Sequence, residues 1–152
     1  MKKHFPLFCV IIFLFCRIFV PAQNMEVQHL PHAIIYAAYI GDIELMKQIL
    51  ETDYDKDIRD TLGGTALHVA IFQDNLEAIK LLLDNGFDIN AASFYHGYTP
   101  LHYCVWTNNL AAANLLVSYN ADKNIKDMNG HTPLEKATRE GKRDILLILS
   151  RR

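Results

Sequence analysis

The chain has 152 residues, 51% hydrophobic and 21% charged, with a formal net charge of −2. That length is one domain's worth, and the composition is too apolar for a chain disordered throughout. Three cysteines exclude a disulfide-dense scaffold, and the charge gives no reason to expect a nucleic-acid partner.

The first 22 residues read as a targeting segment. Lys2 and Lys3 precede a run, Phe5–Val20, that is apolar apart from Arg17, and Val20-Pro21-Ala22 sets small residues before Gln23. This is the layout of a secretory signal peptide, with cleavage expected after Ala22. The run falls short of the ~20 residues that span a bilayer, and Arg17 is costly at its centre. The alternative is an uncleaved N-terminal membrane anchor. Phe15 argues against a lipid anchor on Cys16, where a small residue should precede. A lysine-led start on a short chain suggests a bacterial source, hence the periplasm or the medium. Without this segment the 15 basic residues lose Lys2, Lys3 and Arg17, leaving 12 against 17 acidic, a net of −5. That balance disfavours phosphate backbones and anionic lipid surfaces, so no membrane association is expected after cleavage. Only Cys104 remains of the cysteines, so no intramolecular disulfide can form.

After a short linker, 23–29, a repeat runs to the end. Gly63-Gly64-Thr65-Ala66-Leu67-His68 matches Gly97-Tyr98-Thr99-Pro100-Leu101-His102 and Gly130-His131-Thr132-Pro133-Leu134-Glu135, with threonines 34 and then 33 residues apart. Nine residues after each threonine stands a second landmark, Asp74, Asn108 or Gly141, and Gly41 falls one period earlier. A third landmark closes the unit: Leu81–Gly86, then Leu115–Asn120. Asn120 replaces Gly86, and asparagine tolerates the left-handed conformation of a helix C-cap. The units fall at about 30–60, 61–93, 94–126 and 127–152.

Within a unit, Thr caps a first helix and Pro suits its first turn. The third unit predicts helices from Pro100 to about Thr107 and from about Leu110 to Tyr119. Ala70, Cys104 and Ala137 share a position where small side chains admit the neighbouring unit. Ile79, Leu82 and Leu83 recur as Ala113, Leu116 and Val117, a stripe that only a stack can bury. The ends depart from the pattern: Ile34-Ile35 stands for Leu-His, Glu135 for His, and Ser150 for Leu. Leu147 falls where Lys47, Lys80 and Asn114 sit, so the last helix is apolar on every face. Either that cap is imperfectly sealed or it docks on something.

The pattern resembles the ankyrin repeat, whose Gly-x-Thr-Pro-Leu-His string is complete only from Gly97. The resemblance covers residues 30–152. It implies an all-α solenoid of about four helix–turn–helix repeats with hairpin-like tips, and a role in protein–protein recognition without catalysis.

The candidate chemistry is weak. The resemblance gives His68 and His102 a structural role, tying the turn of the repeat by hydrogen bonds. The repeat spaces them along the stack, whereas a metal needs three or four converging ligands. Asp53-Tyr54-Asp55-Lys56-Asp57 opens like a calcium loop, but Ile58 and Gly64 stand where Gly and Glu are required. Cys104 lies two helical residues from His102, on a different face. Gly141-Lys142 lacks the rest of a phosphate loop. No cofactor, metal or catalytic constellation is expected.

The resemblance instead implies a binding groove built from the tips and the outer side of each first helix. Carried over by position, Tyr39, Phe72, Trp106 and Arg139 face it from successive repeats. Leu62, Phe94, Tyr95, Tyr98 and Met128 flank it on the tips. The tip at 91–96 carries one extra residue and is aromatic where loops are normally polar. Folding alone does not require apolar residues here, and such anchors concentrate interface energy. The expected function is an exported, monomeric binding module for another protein, for instance a periplasmic inhibitor or immunity-type protein. The alternatives are a secreted effector that engages a host protein and, remotely, an enzyme.

Overall fold

The computed structural model describes residues 32–151. The expected signal segment and linker lie outside the described residues. Among the described residues eight helices follow in order: α1 Ala33–Ile40, α2 Ile43–Leu50, α3 Ala66–Phe72, α4 Leu76–Asp84, α5 Pro100–Thr107, α6 Leu110–Ser118, α7 Pro133–Arg139 and α8 Arg143–Leu149. Each odd helix packs on the even helix after it. The odd helices stack in one row and the even helices in a second. The expected all-α stack of four two-helix units is thus observed, and the third unit's helices fall where its sequence puts them.

Side chains start the helices. Nδ1 of His68 accepts from the Thr65 N–H at 3.1 Å, and that of His102 from the Thr99 N–H at 3.2 Å, so each satisfies an orphan donor at the head of α3 or α5. Glu135 does the same for Thr132 at 2.7 Å. The second helices have their own caps. Asp42, Asn75 and Asn109 accept from Leu45, Ala78 and Ala112 N–H at 2.9, 3.0 and 2.9 Å. At α8 that place is held by Lys142, which makes no side-chain cap bond.

The landmarks between the helices share one conformation. Gly41, Asp74, Asn108 and Gly141 have φ of 74°, 60°, 56° and 66°. The chain turns left-handed there to bring the second helix back along the first. Asn120, at φ 61°, takes the left-handed conformation its sequence suggests, one residue past the C-cap Tyr119.

The core lies between the two rows. Met46, Ile49, Leu67, Ile71, Ile79, Leu82, Leu101, Leu116 and Ile145 are fully buried. Ala37, Ala70, Cys104 and Ala137 are the sealed small positions between neighbouring first helices. Ile145, Ile148 and Leu149 close the C-terminal end, while Leu147 is 65% exposed.

Candidate functional site

The tips are hydrogen-bonded turns. Asp60 and Gly64 are joined by an N–H···O bond of 2.8 Å, as are Asp127 and His131. Each aspartate folds its tip by accepting two backbone N–H groups: Leu62 and Gly64 on Asp60 Oδ1, Asn129 and His131 on Asp127 Oδ1. The middle tip spans Ser93 to Tyr98, closed by Ser93 N–H to Tyr98 C=O at 2.9 Å. It is one residue longer, as expected, with Ser93 in place of aspartate.

The histidines do more than tie their own turn. Nδ1 accepts a backbone N–H, so the proton sits on Nε2. From there His68 donates to the Tyr98 carbonyl at 2.9 Å and His102 to the His131 carbonyl at 3.0 Å. Each ring therefore pins its helix to the tip of the next repeat. Burial pushes the His68 pKa down to about 4, despite the Tyr98 carbonyl, and lowers that of His102. The longer reach to the next tip has a backbone acceptor, which leaves no mark in the sequence.

The tip side chains fold back along the stack. A Cβ on Gly63 would stand 2.4 Å from the backbone N, Cβ and Cγ of Phe94, so the glycine makes room for that residue. Arg59 lies 5.1 Å from the Phe94 ring centroid and donates to the Gly63 and Ala92 carbonyls. Leu62, Phe94, Tyr95 and Met128 remain exposed, giving the row of tips an apolar outer edge.

The odd helices turn an aromatic face away from the even row. Phe72 and Trp106 stack at 5.8 Å between centroids, and Tyr103 meets Trp106 edge-on at 5.5 Å. Tyr103 also packs edge-on against His68 at 4.6 Å and Tyr98 at 6.3 Å, and Tyr98 stacks on His102. Tyr39, Phe72, Tyr98 and Tyr103 are half-buried, whereas Trp106 is 51% exposed. Packing from two sides holds the indole in one place and leaves half of it to solvent. Burial also pushes the Tyr103 pKa up to about 12.

The fourth repeat is charged where the others are aromatic. Lys136 donates to the Tyr98 hydroxyl at 2.9 Å, lies over its ring, and pairs with Glu140 at 2.6 Å. Burial alone would favour the neutral amine; the Glu140 and Tyr98 contacts outweigh it and hold the pKa above the ordinary lysine value. Burial would likewise raise the pKa of Asp127, but the N–H groups of His131 and Asn129 win and lower it. Arg139 donates to Nε2 of His131 at 2.6 Å. Asp127, Asn129, His131, Lys136, Arg139 and Glu140 line a surface depression of about 730 Å³.

No group of three or more His, Cys, Asp or Glu among the described residues could hold a metal ion. The Cys104 thiol is fully enclosed and its pKa raised by burial, which removes the thiolate a nucleophile needs. Residues 53–57 form connecting loop after α2. The side-chain caps at Asp42, Asn75 and Asn109 were not read from the sequence, although each directly follows a landmark residue.

Residues 34–127 match the family model for ankyrin repeats, in three copies. The chain belongs to the ankyrin repeat family. The fourth ankyrin unit extends past the matched span, yet keeps the threonine start and the left-handed turn at Gly141. The chain is 34% identical over 103 residues to a putative ankyrin repeat protein, L371, of Acanthamoeba polyphaga mimivirus, covering 68% of this chain and 14% of that protein. It is 36% identical over 69 residues to the potassium channel AKT1 of Arabidopsis thaliana, covering 45% of this chain and 8% of the channel. A putative ankyrin repeat protein of Rickettsia felis is 39% identical over 61 residues, covering 38% of this chain and 20% of that one. The chain thus spans at most a fifth of these relatives. Ankyrin domains are characteristically non-catalytic, and the fold supports a general role in protein–protein interaction.

Proposed function

We propose that this chain is a non-catalytic binding module that engages another protein through the face of its first helices and the adjoining tips. The observation that carries this is Trp106, stacked on Phe72 and braced by Tyr103, yet half exposed. A large ring costs little entropy to present when it is already held, and such rings anchor interfaces. Tyr39, Phe72, Tyr98 and Arg139 extend the surface along the stack; Leu62, Phe94, Tyr95 and Met128 extend it over the tips. Lys2, Lys3, the apolar run and Val20-Pro21-Ala22 support export with loss of the first 22 residues. The protein then acts outside the cytoplasm as a monomer, binding or inhibiting a partner in the same compartment.

Affinity capture from native envelope and medium fractions tests this, with the full chain as bait and a folded Phe72→Ala/Trp106→Ala variant as control. A protein held by the wild type and lost by the variant is the expected result. Equal capture by both moves the interface elsewhere. Absence of any partner among the cell's own proteins favours a secreted effector with a foreign target. Sequencing the N-terminus of the native protein tests export, which expects Gln23 first.

A further inference from the structure

The binding face changes character along the stack. One helical position reads Tyr36, Val69, Tyr103, Lys136 through the four repeats, and the next turn reads Tyr39, Phe72, Trp106, Arg139. Both columns pass from mainly aromatic to cationic at the fourth repeat. The charges there are unequally compensated. Lys136 is paired with Glu140 at 2.6 Å. The Asp127 side chain is 2% exposed, and its Oδ1 accepts the tip N–H groups of Asn129 and His131. Arg139, by contrast, donates to Nε2 of His131 and makes no ion pair with a carboxylate among the described residues. That contact aims the guanidinium and leaves further N–H donors unused. It stands exposed at the edge of the depression, one repeat beyond Trp106.

We infer that the partner presents an acidic peptide segment, with an apolar side chain on the Phe72–Trp106 step and a carboxylate on Arg139, its acidic side toward the fourth repeat. This deepens the proposed function and rests on it. The charge complementarity is local, since the chain as a whole is acidic. An arginine fork matches a carboxylate in two parallel hydrogen bonds, which sets orientation as well as affinity. The aromatic step supplies the apolar contact, and Glu140, held by Lys136, does not compete for Arg139.

The test uses a phage-displayed library of random dodecapeptides, panned on the immobilised full chain and on its Arg139→Glu variant. Selected peptides are then synthesised, with each Asp or Glu also changed to Asn or Gln, and titrated while Trp106 fluorescence is read. Trp106 is the only tryptophan in the chain. The expected result is acidic peptides that shift Trp106 emission on the wild type. Their affinity should fall about tenfold or more with either Arg139→Gln or the peptide's amide variant, and little further with both together. Peptides that shift Trp106 without acid dependence overturn this inference and leave the groove reading standing. Peptides that bind without touching Trp106 overturn both. A library that yields no binder also overturns the inference.

Discussion

His68 is held neutral by its surroundings: the Thr65 N–H points at Nδ1, the Tyr98 carbonyl takes the Nε2 proton, and burial penalises a second proton. Its folded pKa of about 4 lies below the unfolded 6.5, so between these values the unfolded chain binds more protons. Stability is therefore full above about pH 6.5 and falls as pH drops toward 4, by about 3 kcal/mol from this residue. His102 acts in the same sense. Urea unfolding from pH 7.5 to 4 checks this, and His68→Gln should flatten the slope. The glycines make a second comparison at this scale. Gly63→Ala adds a methyl into Phe94 at φ 73°, whereas Gly130→Ala adds one into open space at φ 79°. Both pay for a left-handed alanine, about 1–2 kcal/mol, but only the first also displaces a tip. Gly63→Ala should therefore lose clearly more stability in a denaturant titration.

Among the elements, the first helices were legible and the second-helix caps were not. Thr-Pro-Leu-His states a capped start, and the observed Pro100–Thr107 follows it. The caps Asn75 and Asn109 were hidden because Asn and Asp suit a left-handed turn as well as an N-cap, and Asp74-Asn75 and Asn108-Asn109 set two such residues side by side. They are not equivalent. Asn109 also donates to the Ile71 carbonyl at 3.3 Å and to Asp74 at 2.7 Å, joining adjacent repeats. Asn109→Ala should thus cost more than Asn75→Ala, whose loss is a cap of about 1 kcal/mol; thermal melts of the two variants decide. Leu116, fully buried between the rows, should cost about 2–5 kcal/mol on truncation to alanine. A tolerated Leu116→Ala would contradict the register of the stack.

Repeats are joined by apolar packing along both rows, by histidine bonds from helix to the next tip, by the Asn109 bonds to Ile71 and Asp74, and by side chains laid back over the preceding tip. The periodicity made the stack readable, because each unit repeats the same burial pattern. The contact of Phe94 with the Gly63 tip, the bond from Met128 N–H to the His96 carbonyl at 3.0 Å, and the pairing of Arg139 with His131 were not readable, since they depend on how the tips lie in space. Glu135 replaces the last histidine and still caps Thr132, with no further tip for it to reach among the described residues; Ile35 replaces the first, although the Asp60–Gly64 tip follows it. At this scale Trp106→Ala should lower stability by about 2–3 kcal/mol, from two ring contacts and the buried half of the indole. It should lower partner affinity by about 2 kcal/mol or more.

Because Trp106 is both the chain's only tryptophan and the centre of the proposed surface, it reports directly on that surface. The decisive measurement is its emission spectrum and acrylamide quenching while the captured partner is added to saturation. A blue shift with protection from quenching is the result predicted. Unchanged emission and quenching at saturation would contradict the account and place the interface away from the Phe72–Trp106 face.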